Sequence, residues 1–287
     1  MAVLVISGPT SVGKSGLALQ YAQQYGIPII SADAMTVYRE LDIGTAKPSL
    51  AELETVQHYC VNIRDYDEVY TVGDFVEDVD RVLAQHPHVI IAGGTPYYLN
   101  ALFRPMAPLP ESVPEIRQRL EQLSNPHAIL LEQDPVLAAK LHPNDLVRIV
   151  RALEVQEITG KPMSVVQRET PVRPPLDATI IWMDREDIRQ RIQRRLSQMF
   201  ASGYLEECQT ILEKGWDTQA KPLQSFSYVY LLEYIQGRLS KEEAIERTEI
   251  GTWHLARKQR TWARNIGWEF SDEQQARGIA ERFFAGV

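Results

Sequence analysis

Short apolar runs alternate with longer stretches of helical periodicity along this chain. The apolar runs, rich in β-branched residues, lie at 3–6, 27–30, 89–92 and 179–183. The stretches between them place apolar residues three or four positions apart, which is the spacing of an amphipathic helix. Strands that alternate with helices are typical of a parallel sheet with helices packed on its faces. The pattern therefore predicts an α/β fold.

Two proline-rich stretches, 104–114 and 170–177, interrupt this alternation. Proline is a poor residue for the interior of a helix or a central strand, so both stretches are expected to act as hinges. The chain between them has no strand candidate and includes a helix that Asn144 or Asp145 can cap and Gly160 can end. We predict a core formed by 1–110 and 170–287, with a helical insertion domain at 111–169.

The first apolar run leads directly into the segment GPTSVGKS, which has the glycine, lysine and serine spacing of a P-loop. The backbone N–H groups of such a loop, the start of the following helix and the lysine together bind a di- or triphosphate. The pattern does not distinguish ATP or GTP from another diphosphate ester. The phosphate-binding residues are expected to be Gly8, Pro9, Thr10, Ser11, Val12, Gly13, Lys14 and Ser15, with the Ser15 hydroxyl as a ligand of Mg²⁺.

Polar residues follow the second and third apolar runs. Asp33 comes directly after the second run, and Thr95 comes after the third. Because the carboxyl ends of parallel strands form the ligand crevice, both side chains are expected to face the P-loop. Asp33 is a candidate general base or magnesium ligand, although it could also cap the segment that follows it. On the helix after the fourth run, Arg191 and Arg195 lie one turn apart.

Composition and charge narrow the class of protein. The 287 residues are 44% hydrophobic with a net charge of −8, which allows a packed core and argues against a broadly basic nucleic-acid surface. Cys60 and Cys208 are far apart and lack metal-ligand spacing, which indicates a reducing compartment. The chain starts without a basic leader, and no apolar run approaches the ~18 residues of a membrane span. We expect a soluble, cytoplasmic protein and, without a repeat or coiled-coil signal, a monomer.

Basic residues are concentrated near the C-terminal end. The segment 247–264 contains five Lys or Arg residues and one acid. On a helix, Arg257, Arg260 and Arg264 share one face because they are three and four positions apart. Such a stripe is either a solvated helix flank or a surface that contacts nucleic-acid phosphates.

Several segments together resemble a known family. In order and spacing, the chain is similar to the bacterial type of tRNA dimethylallyltransferase at GPTSVGKS, SADAMTVYRELDIGTAKPS, GGTPYYLNAL, LPESVPEIRQRL, HPNDLVRIVRALEVQEITGKP and LARKQRTW. The resemblance extends over nearly the whole chain and is most specific at 31–48. It implies transfer of a dimethylallyl group from dimethylallyl diphosphate to the exocyclic amine of the adenosine on the 3′ side of the tRNA anticodon. The P-loop would then hold an isoprenoid diphosphate rather than ATP.

The resemblance also implies roles for individual residues. Asp33 matches a general base that also hydrogen-bonds the flipped adenine, and Thr10, Lys14 and Arg195 match residues beside the diphosphate, so these four are the expected catalytic residues. The anticodon stem-loop of tRNA is the expected partner. Its expected contacts are Asp33, Ala34, Met35, Thr36, Thr95, Arg117, Val147, Arg148, Ile149, Val150, Arg151 and Tyr228, to which the basic stripe adds Arg257 and Arg260.

The chain departs from the family pattern in places that bear on RNA binding. It has Ser-Tyr-Val-Tyr at 227–230 where the family has Gly-Tyr-Arg-Gln, and Pro96 where the family has glycine. We expect these departures to affect substrate preference and to leave the phosphate chemistry intact. The alternatives are a P-loop small-molecule kinase, a dimethylallyltransferase that uses free AMP or ADP, and a non-catalytic RNA-binding protein. The basic stripe and the arginines Arg148 and Arg151 favour tRNA over a free nucleotide.

Overall fold

The computed structural model describes residues 2–286, which form two compact units. The larger unit contains the chain up to Leu102 together with the chain from Leu176 onward, and the smaller unit is Phe103–Pro175. Among the described residues, every strand belongs to the larger unit, and the smaller unit is helical.

A parallel sheet forms the centre of the larger unit. Its strands are β1 (Ala2–Ser7), β2 (Ile29–Ser31), β3 (His58–Tyr59), β4 (His88–Gly93), β5 (Thr179–Met183) and β6 (Phe270–Ser271). Within the described residues these six strands lie in the order β3-β2-β4-β1-β5-β6. The predicted α/β fold and its four strands are confirmed, whereas β3 and β6 are too short to give a recognisable sequence pattern.

Helices cover the sheet and build the smaller unit. In the larger unit they are α1 (Lys14–Tyr25), α2 (Leu50–Thr55), α3 (Val72–Gln85), α4 (Pro96–Phe103, whose last residue begins the smaller unit), α10 (Ile188–Ala201), α11 (Tyr204–Glu213), α12 (Val229–Ile235), α13 (Lys241–Ile266) and α14 (Glu273–Ala285). In the smaller unit they are α5 (Pro114–Glu121), α6 (Pro126–Gln133), α7 (Pro135–Ala138), α8 (Leu146–Thr159) and α9 (Met163–Glu169).

The central strands are apolar along their length because both faces of the sheet are covered. In β1 and β4 the side chains at 3–6 and 89–91 are fully buried, as expected for a parallel sheet between helix layers. Helix α1 packs onto this sheet through Leu17, Tyr21 and neighbouring apolar residues. This packing fixes the start of α1 directly above the carboxyl end of β1, which is where the P-loop lies.

The smaller unit is built around α8. The Asp145 side chain caps α8 by accepting a hydrogen bond from the Arg148 N–H, and Gly160 ends the helix in the left-handed conformation at φ 70°, as the sequence predicts. The apolar face of α8 packs against α5 and α6. The core residues are Leu120, Leu130, Ala138, Ile149, Val150, Ala152 and Leu153.

The bounds of the smaller unit differ from the predicted 111–169 because the proline-rich stretch 104–114 is bonded to α8. The buried carboxylate of Glu154 accepts hydrogen bonds from Ser112 Oγ at 2.5 Å and from the Val113 N–H at 2.8 Å. Arg151 pairs with Glu154 at 2.6 Å and donates to the Pro110 carbonyl. The stretch is therefore part of the smaller unit, which begins at Phe103.

Replacing Glu154 by alanine is expected to destabilise the smaller unit by about 3 kcal/mol, because the change leaves Arg151 without its buried partner. Burial raises the pKa of Glu154, but hydrogen bonds from Ser112, Arg151 and Val113 outweigh it and hold the pKa below the usual value for glutamate. The carboxylate therefore stabilises the fold above the pKa of an unfolded glutamate, and this contribution is lost as the pH falls through the lower folded pKa. Urea unfolding measured at neutral pH and near pH 3 checks both expectations.

The matched control for this change is Glu157→Ala. Glu157 is on the same helix, but its ion pair with Arg119 is exposed, so its removal is expected to change stability by less than about 0.5 kcal/mol. Equal losses in the two variants would contradict the assigned role of Glu154.

Candidate active site

The P-loop connects β1 to α1 and presents its polar side toward a cavity. Gly13 precedes α1 in a left-handed conformation, φ 108°, that a residue with a side chain rarely adopts. Within the loop, Gly8, Pro9 and Val12 are buried and shape the backbone. The other members of the predicted set line the cavity, namely Thr10, Ser11, Gly13, Lys14 and Ser15.

Lys14 lies against the backbone that follows β4. A Cβ atom placed on Gly94 would be 2.8 Å from the Gln259 Nε2 and 3.2 Å from the Lys14 Nζ, so glycine leaves both side chains where they lie. Burial lowers the pKa of Lys14 to about 8, while the carboxylate of Asp33 raises it and the guanidinium of Arg195 lowers it further. The ammonium group is therefore held without full hydration, ready to bind an anion.

Helix α10 brings two arginines to the P-loop. Its buried stripe, Ile188, Ile192 and Leu196, fixes the helix against the core. Arg195 donates to the Thr10 Oγ1 at 3.2 Å, and Arg191 donates from Nε to the Ser11 carbonyl at 2.7 Å. Burial lowers the pKa of Arg195, and Asp33 opposes this shift.

Asp33 and Thr95 follow the neighbouring strands β2 and β4. Asp33 Oδ1 accepts a hydrogen bond from the Met35 N–H at 2.9 Å, so the carboxylate does cap the turn that follows it. Thr95 Oγ1 accepts from the Ala34 N–H at 3.0 Å and orders the same turn. Asp33 and Thr95 both line the cavity, and the charge of Asp33 acts to raise the pKa of both Lys14 and Arg195.

Gln259 on α13 joins two sides of the site and was not among the predicted residues. It is buried, its Oε1 accepts from the Thr10 N–H at 2.9 Å, and its Nε2 donates to the Gly94 carbonyl at 2.5 Å. Gln259 thus holds the P-loop and the end of β4 at a fixed separation. The only sequence signal was a glutamine within the basic segment LARKQRTW.

Replacing Gly94 by alanine is expected to lower kcat/KM by about 10- to 100-fold, the effect of moving a binding group by about 1 Å. The new Cβ would lie 2.8 Å from the Gln259 Nε2 and 3.2 Å from the Lys14 Nζ, so one of the two side chains must move. Steady-state kinetics on the purified variant measure the loss. Gly278→Ala on α14 is the control, since its Cβ would lie 3.5 Å from the Arg282 Nη1, an ordinary contact distance. Wild-type kinetics for Gly94→Ala would show that the site tolerates the added methyl group.

The cavity is formed entirely by the larger unit and has a volume of about 750 Å³. Its polar end is the P-loop with Lys14 and the α10 arginines. Its remaining walls come from the segment after β2, from α10, from the segment 225–227 before α12 and from α13, and they include apolar side chains. These apolar side chains are Leu196, Met199, Phe226 and Leu255. The site can therefore hold a diphosphate next to a small apolar group.

A family model described as IPP transferase matches residues 36–266. The chain belongs to the IPP transferase family. The family model begins after Asp33, so the P-loop itself lies outside the matched segment. The fold and cavity described above are thus those of a member of the IPP transferase family.

Comparison with individual proteins leads to the same family assignment. The chain is 38% identical over 275 residues to a tRNA dimethylallyltransferase of Geobacter sulfurreducens, covering 91% of this chain and 88% of the relative. It is similar in structure to a tRNA isopentenylpyrophosphate transferase of Staphylococcus epidermidis, with a TM-score of 0.68, 27% identity and complete coverage of both chains. A eukaryotic dimethylallyltransferase acting on tRNA matches with a TM-score of 0.80 and 27% identity, covering 95% of this chain and 74% of the other.

The sequence resemblance predicts a set of tRNA contacts, and the structure shows which of these residues are accessible and which are buried. In the larger unit, Ala34, Met35 and Thr36 line the cavity beside Asp33 and Thr95, but Thr36 is only 6% exposed and its hydroxyl is hydrogen-bonded to that of Ser31. Tyr228 is fully buried and its hydroxyl donates to Glu207 at 2.7 Å, so the prediction of a direct RNA contact by this side chain is wrong.

The predicted basic stripe on α13 also needs correction. Arg257 and Arg264 are exposed, as a phosphate-contacting surface requires. Arg260 instead pairs with Asp184 at 2.7 Å and donates to the Arg185 carbonyl at 2.5 Å, with only 16% of its side chain exposed. Its guanidinium therefore ties α13 to the end of β5 rather than facing solvent.

In the smaller unit, too, some of the predicted tRNA contacts are exposed and others are not. Val147 and Arg148 are exposed on the first turn of α8, and Arg117 is partly exposed and pairs with Glu121. The other three predicted tRNA contacts in this unit need correction, because each side chain is either buried or bonded within the unit. Ile149 and Val150 are core residues, and Arg151 is bonded to Glu154.

Two further expectations concern metal ions and membranes. Within residues 2–286 no group of three or more His, Cys, Asp or Glu side chains could hold a metal ion. The Ser15 hydroxyl and the Asp33 carboxylate nevertheless line the same cavity, where oxygen atoms of a bound diphosphate could complete the ligands of a hard cation. In the described part of the chain no helix is long and apolar enough to span a membrane.

Proposed function

We propose that this protein transfers the dimethylallyl group of dimethylallyl diphosphate to the exocyclic amine of the adenosine on the 3′ side of the anticodon in tRNA. The observation that supports this proposal most is that Lys14, Arg195 and Asp33 line one cavity. The cations suit a diphosphate leaving group, and the carboxylate suits an amine that must lose a proton. The tRNA dimethylallyltransferases among the relatives of the chain support the choice of substrates.

The cationic end of the cavity would stabilise the leaving diphosphate. As the bond between the allylic carbon and the diphosphate oxygen breaks, negative charge grows on that oxygen. Lys14, Arg195 with its partner Thr10, and the remainder of the P-loop line this end of the cavity, where the diphosphate would bind. These groups therefore stabilise the transition state more than the substrate, which is the condition for catalysis.

We infer that Mg²⁺ accompanies the diphosphate. The Ser15 hydroxyl opens onto the cavity at the start of α1, where the P-loop pattern places a magnesium ligand. When bound, the ion would neutralise part of the diphosphate charge. Lys14 and Arg195 supply the remaining positive charge from the protein itself.

Asp33 would serve the acceptor. The lone pair of an aromatic amine is delocalised, so the amine becomes a better nucleophile when a carboxylate accepts its proton as the carbon–nitrogen bond forms. The bond from the allylic carbon to oxygen breaks, diphosphate leaves, and the proton passes to the Asp33 carboxylate. The adenosine must leave the base stack to reach this point, as in other enzymes that modify a base.

Exposed cations are available for the rest of the tRNA. In the larger unit Arg257, Lys258 and Arg264 lie on α13, and in the smaller unit Arg148 lies on α8. We propose that these residues contact phosphates of the anticodon stem, an interaction that weakens with added salt. We also propose that the protein acts in the cytoplasm and works as a monomer.

The test follows a label from two donors to two acceptors. Purified protein is incubated with labelled dimethylallyl diphosphate or γ-labelled ATP, and with unmodified tRNA or AMP. We expect label from dimethylallyl diphosphate on tRNA, and its loss in Asp33→Ala and Lys14→Ala. Label transferred from ATP would support a kinase, label on AMP a nucleotide-directed transferase, and no transfer a non-catalytic protein.

A further inference from the structure

A carboxylate outside the reacting groups holds one wall of the cavity. Glu207 on α11 accepts hydrogen bonds at Oε2 from the N–H groups of Asp42 at 2.9 Å and Ile43 at 2.7 Å. At Oε1 it accepts from the Gly44 N–H at 3.0 Å and the Tyr228 hydroxyl at 2.7 Å. Three successive backbone N–H groups around one anion form a concave anion site. A carboxylate has about four acceptor positions, so this one is saturated.

A second set of contacts holds the segment 42–48, which we call the clamped segment, and these contacts are made by its own residue Lys47. The side chain of Lys47 is 2% exposed, and its ammonium group donates to the Tyr38 carbonyl at 2.6 Å and to Asn62 Oδ1 at 2.6 Å. It also pairs with Asp42 at 2.5 Å, which is in the segment itself. The backbone of the clamped segment is therefore fixed by one buried cation and one saturated anion.

Close packing leaves the clamped segment little room to move toward α12. A Cβ atom on Gly44 would lie 2.4 Å from the Tyr228 ring, so the glycine backbone rests directly on that ring. Burial, followed by the charge of Glu207, raises the pKa of Tyr228 well above its usual value, so the hydroxyl keeps its proton and remains a donor. Glu207, Tyr228 and Gly44 thus form one packed unit.

The clamped segment is also part of the cavity wall. Residues 44–48 line the cavity, and so does Tyr204 at the start of α11, the helix that carries Glu207. Tyr204 donates to the Ser227 carbonyl, and its ring packs against Phe200 of α10, the helix that carries Arg195. Glu207 on α11 therefore connects the clamped segment with α10, the helix that carries Arg195 at the diphosphate end of the cavity.

We propose that Glu207, supported by Tyr228, is a positioning residue for the transfer reaction, and that it fixes the clamped segment as the cavity wall against which the reacting groups are aligned. This inference rests on the proposed function. When glutamine replaces Glu207, one carboxylate oxygen becomes an NH2 donor that faces the donors this oxygen served, so some of the three N–H groups lose their acceptor and the segment regains conformational freedom. A mobile wall lowers the fraction of complexes in which amine and allylic carbon are aligned.

The test compares Glu207→Gln with Glu206→Gln, its exposed neighbour on α11. In Glu207→Gln we expect kcat on tRNA to fall by about 10- to 100-fold, because alignment rather than binding is lost. The KM for dimethylallyl diphosphate is expected to stay unchanged, since Lys14 and Arg195 are untouched. Hydrogen exchange is expected to accelerate at the N–H groups of 42–44, while Glu206→Gln matches the wild type in all three measurements.

Two results would overturn the inference. Unchanged exchange at 42–44 in Glu207→Gln would show that the carboxylate does not hold the segment, and faster exchange with unchanged kcat would show that holding the segment does not matter for transfer. A wild-type protein that prenylates no tRNA would overturn the proposed function. Hydrogen exchange needs no RNA, so the exchange data would still decide whether Glu207 holds the clamped segment.

A milder variant guards against misfolding of Glu207→Gln. Tyr228→Phe removes one of the four donors and keeps the ring on which Gly44 rests, so a smaller loss of kcat and a smaller gain in exchange are expected. Because the two groups share a hydrogen bond, the double variant is expected to lose less than the product of the two single losses. Multiplicative losses would contradict their action as one unit.

Discussion

Replacing Asp33 by asparagine is expected to lower kcat on tRNA by about 10³-fold, the size of contribution that a positioned general base makes. Asparagine has the same shape and can still accept the hydrogen bond that Asp33 Oδ1 takes from the Met35 N–H, so the turn should persist. It cannot accept the proton of the exocyclic amine. Single-turnover transfer of labelled dimethylallyl, with enzyme in excess over tRNA, measures the chemical step directly.

The control for this change is Asp65→Asn, which removes a carboxylate from an exposed ion pair with Arg39 and should leave kcat unchanged. Affinity for tRNA should stay close to that of the wild type in both variants, which a binding assay without dimethylallyl diphosphate can measure. If Asp33→Asn retained the wild-type rate of the chemical step, Asp33 would not be the base.

The sequence alone could identify the groups at the strand ends but not their long-range partners. The apolar runs predict β1, β2, β4 and β5, and in a parallel sheet these strands must end at the same edge. The P-loop, Asp33 and Thr95 follow from that rule. Gln259 is different, because it contacts the Thr10 N–H from 249 positions away, and no local pattern signals such a contact.

Burial also decided which predicted RNA contacts remain possible. A stripe on a helix is defined by spacing, but spacing does not show which cation already has a partner inside the fold. Arg260 belongs to the predicted stripe and is bound to Asp184, which is 76 positions earlier in the chain. Tyr228 agrees with the family pattern although its neighbours in the sequence differ from it. The structure explains this tyrosine by a contact inside the fold, the hydrogen bond of its hydroxyl to Glu207.

Replacing Lys14 by methionine is expected to lower kcat/KM for dimethylallyl diphosphate by about 10³-fold, as expected when a preorganised group that stabilises developing negative charge is removed. Methionine keeps an unbranched apolar stem against Gly94, so the loss should come from the charge and not from packing. Initial rates at low dimethylallyl diphosphate measure kcat/KM. The stability of the variant, measured by urea unfolding, should not fall.

The pH dependence identifies the lysine as the group responsible. Burial, partly opposed by Asp33, lowers the pKa of Lys14 to about 8, so the free enzyme loses this charge as the pH rises through that value. Because the protonated form of Lys14 is the one that attracts the diphosphate, wild-type kcat/KM should fall above pH 8. In Lys14→Met this fall should be absent, whereas a fall that persisted in the variant would have to come from another group.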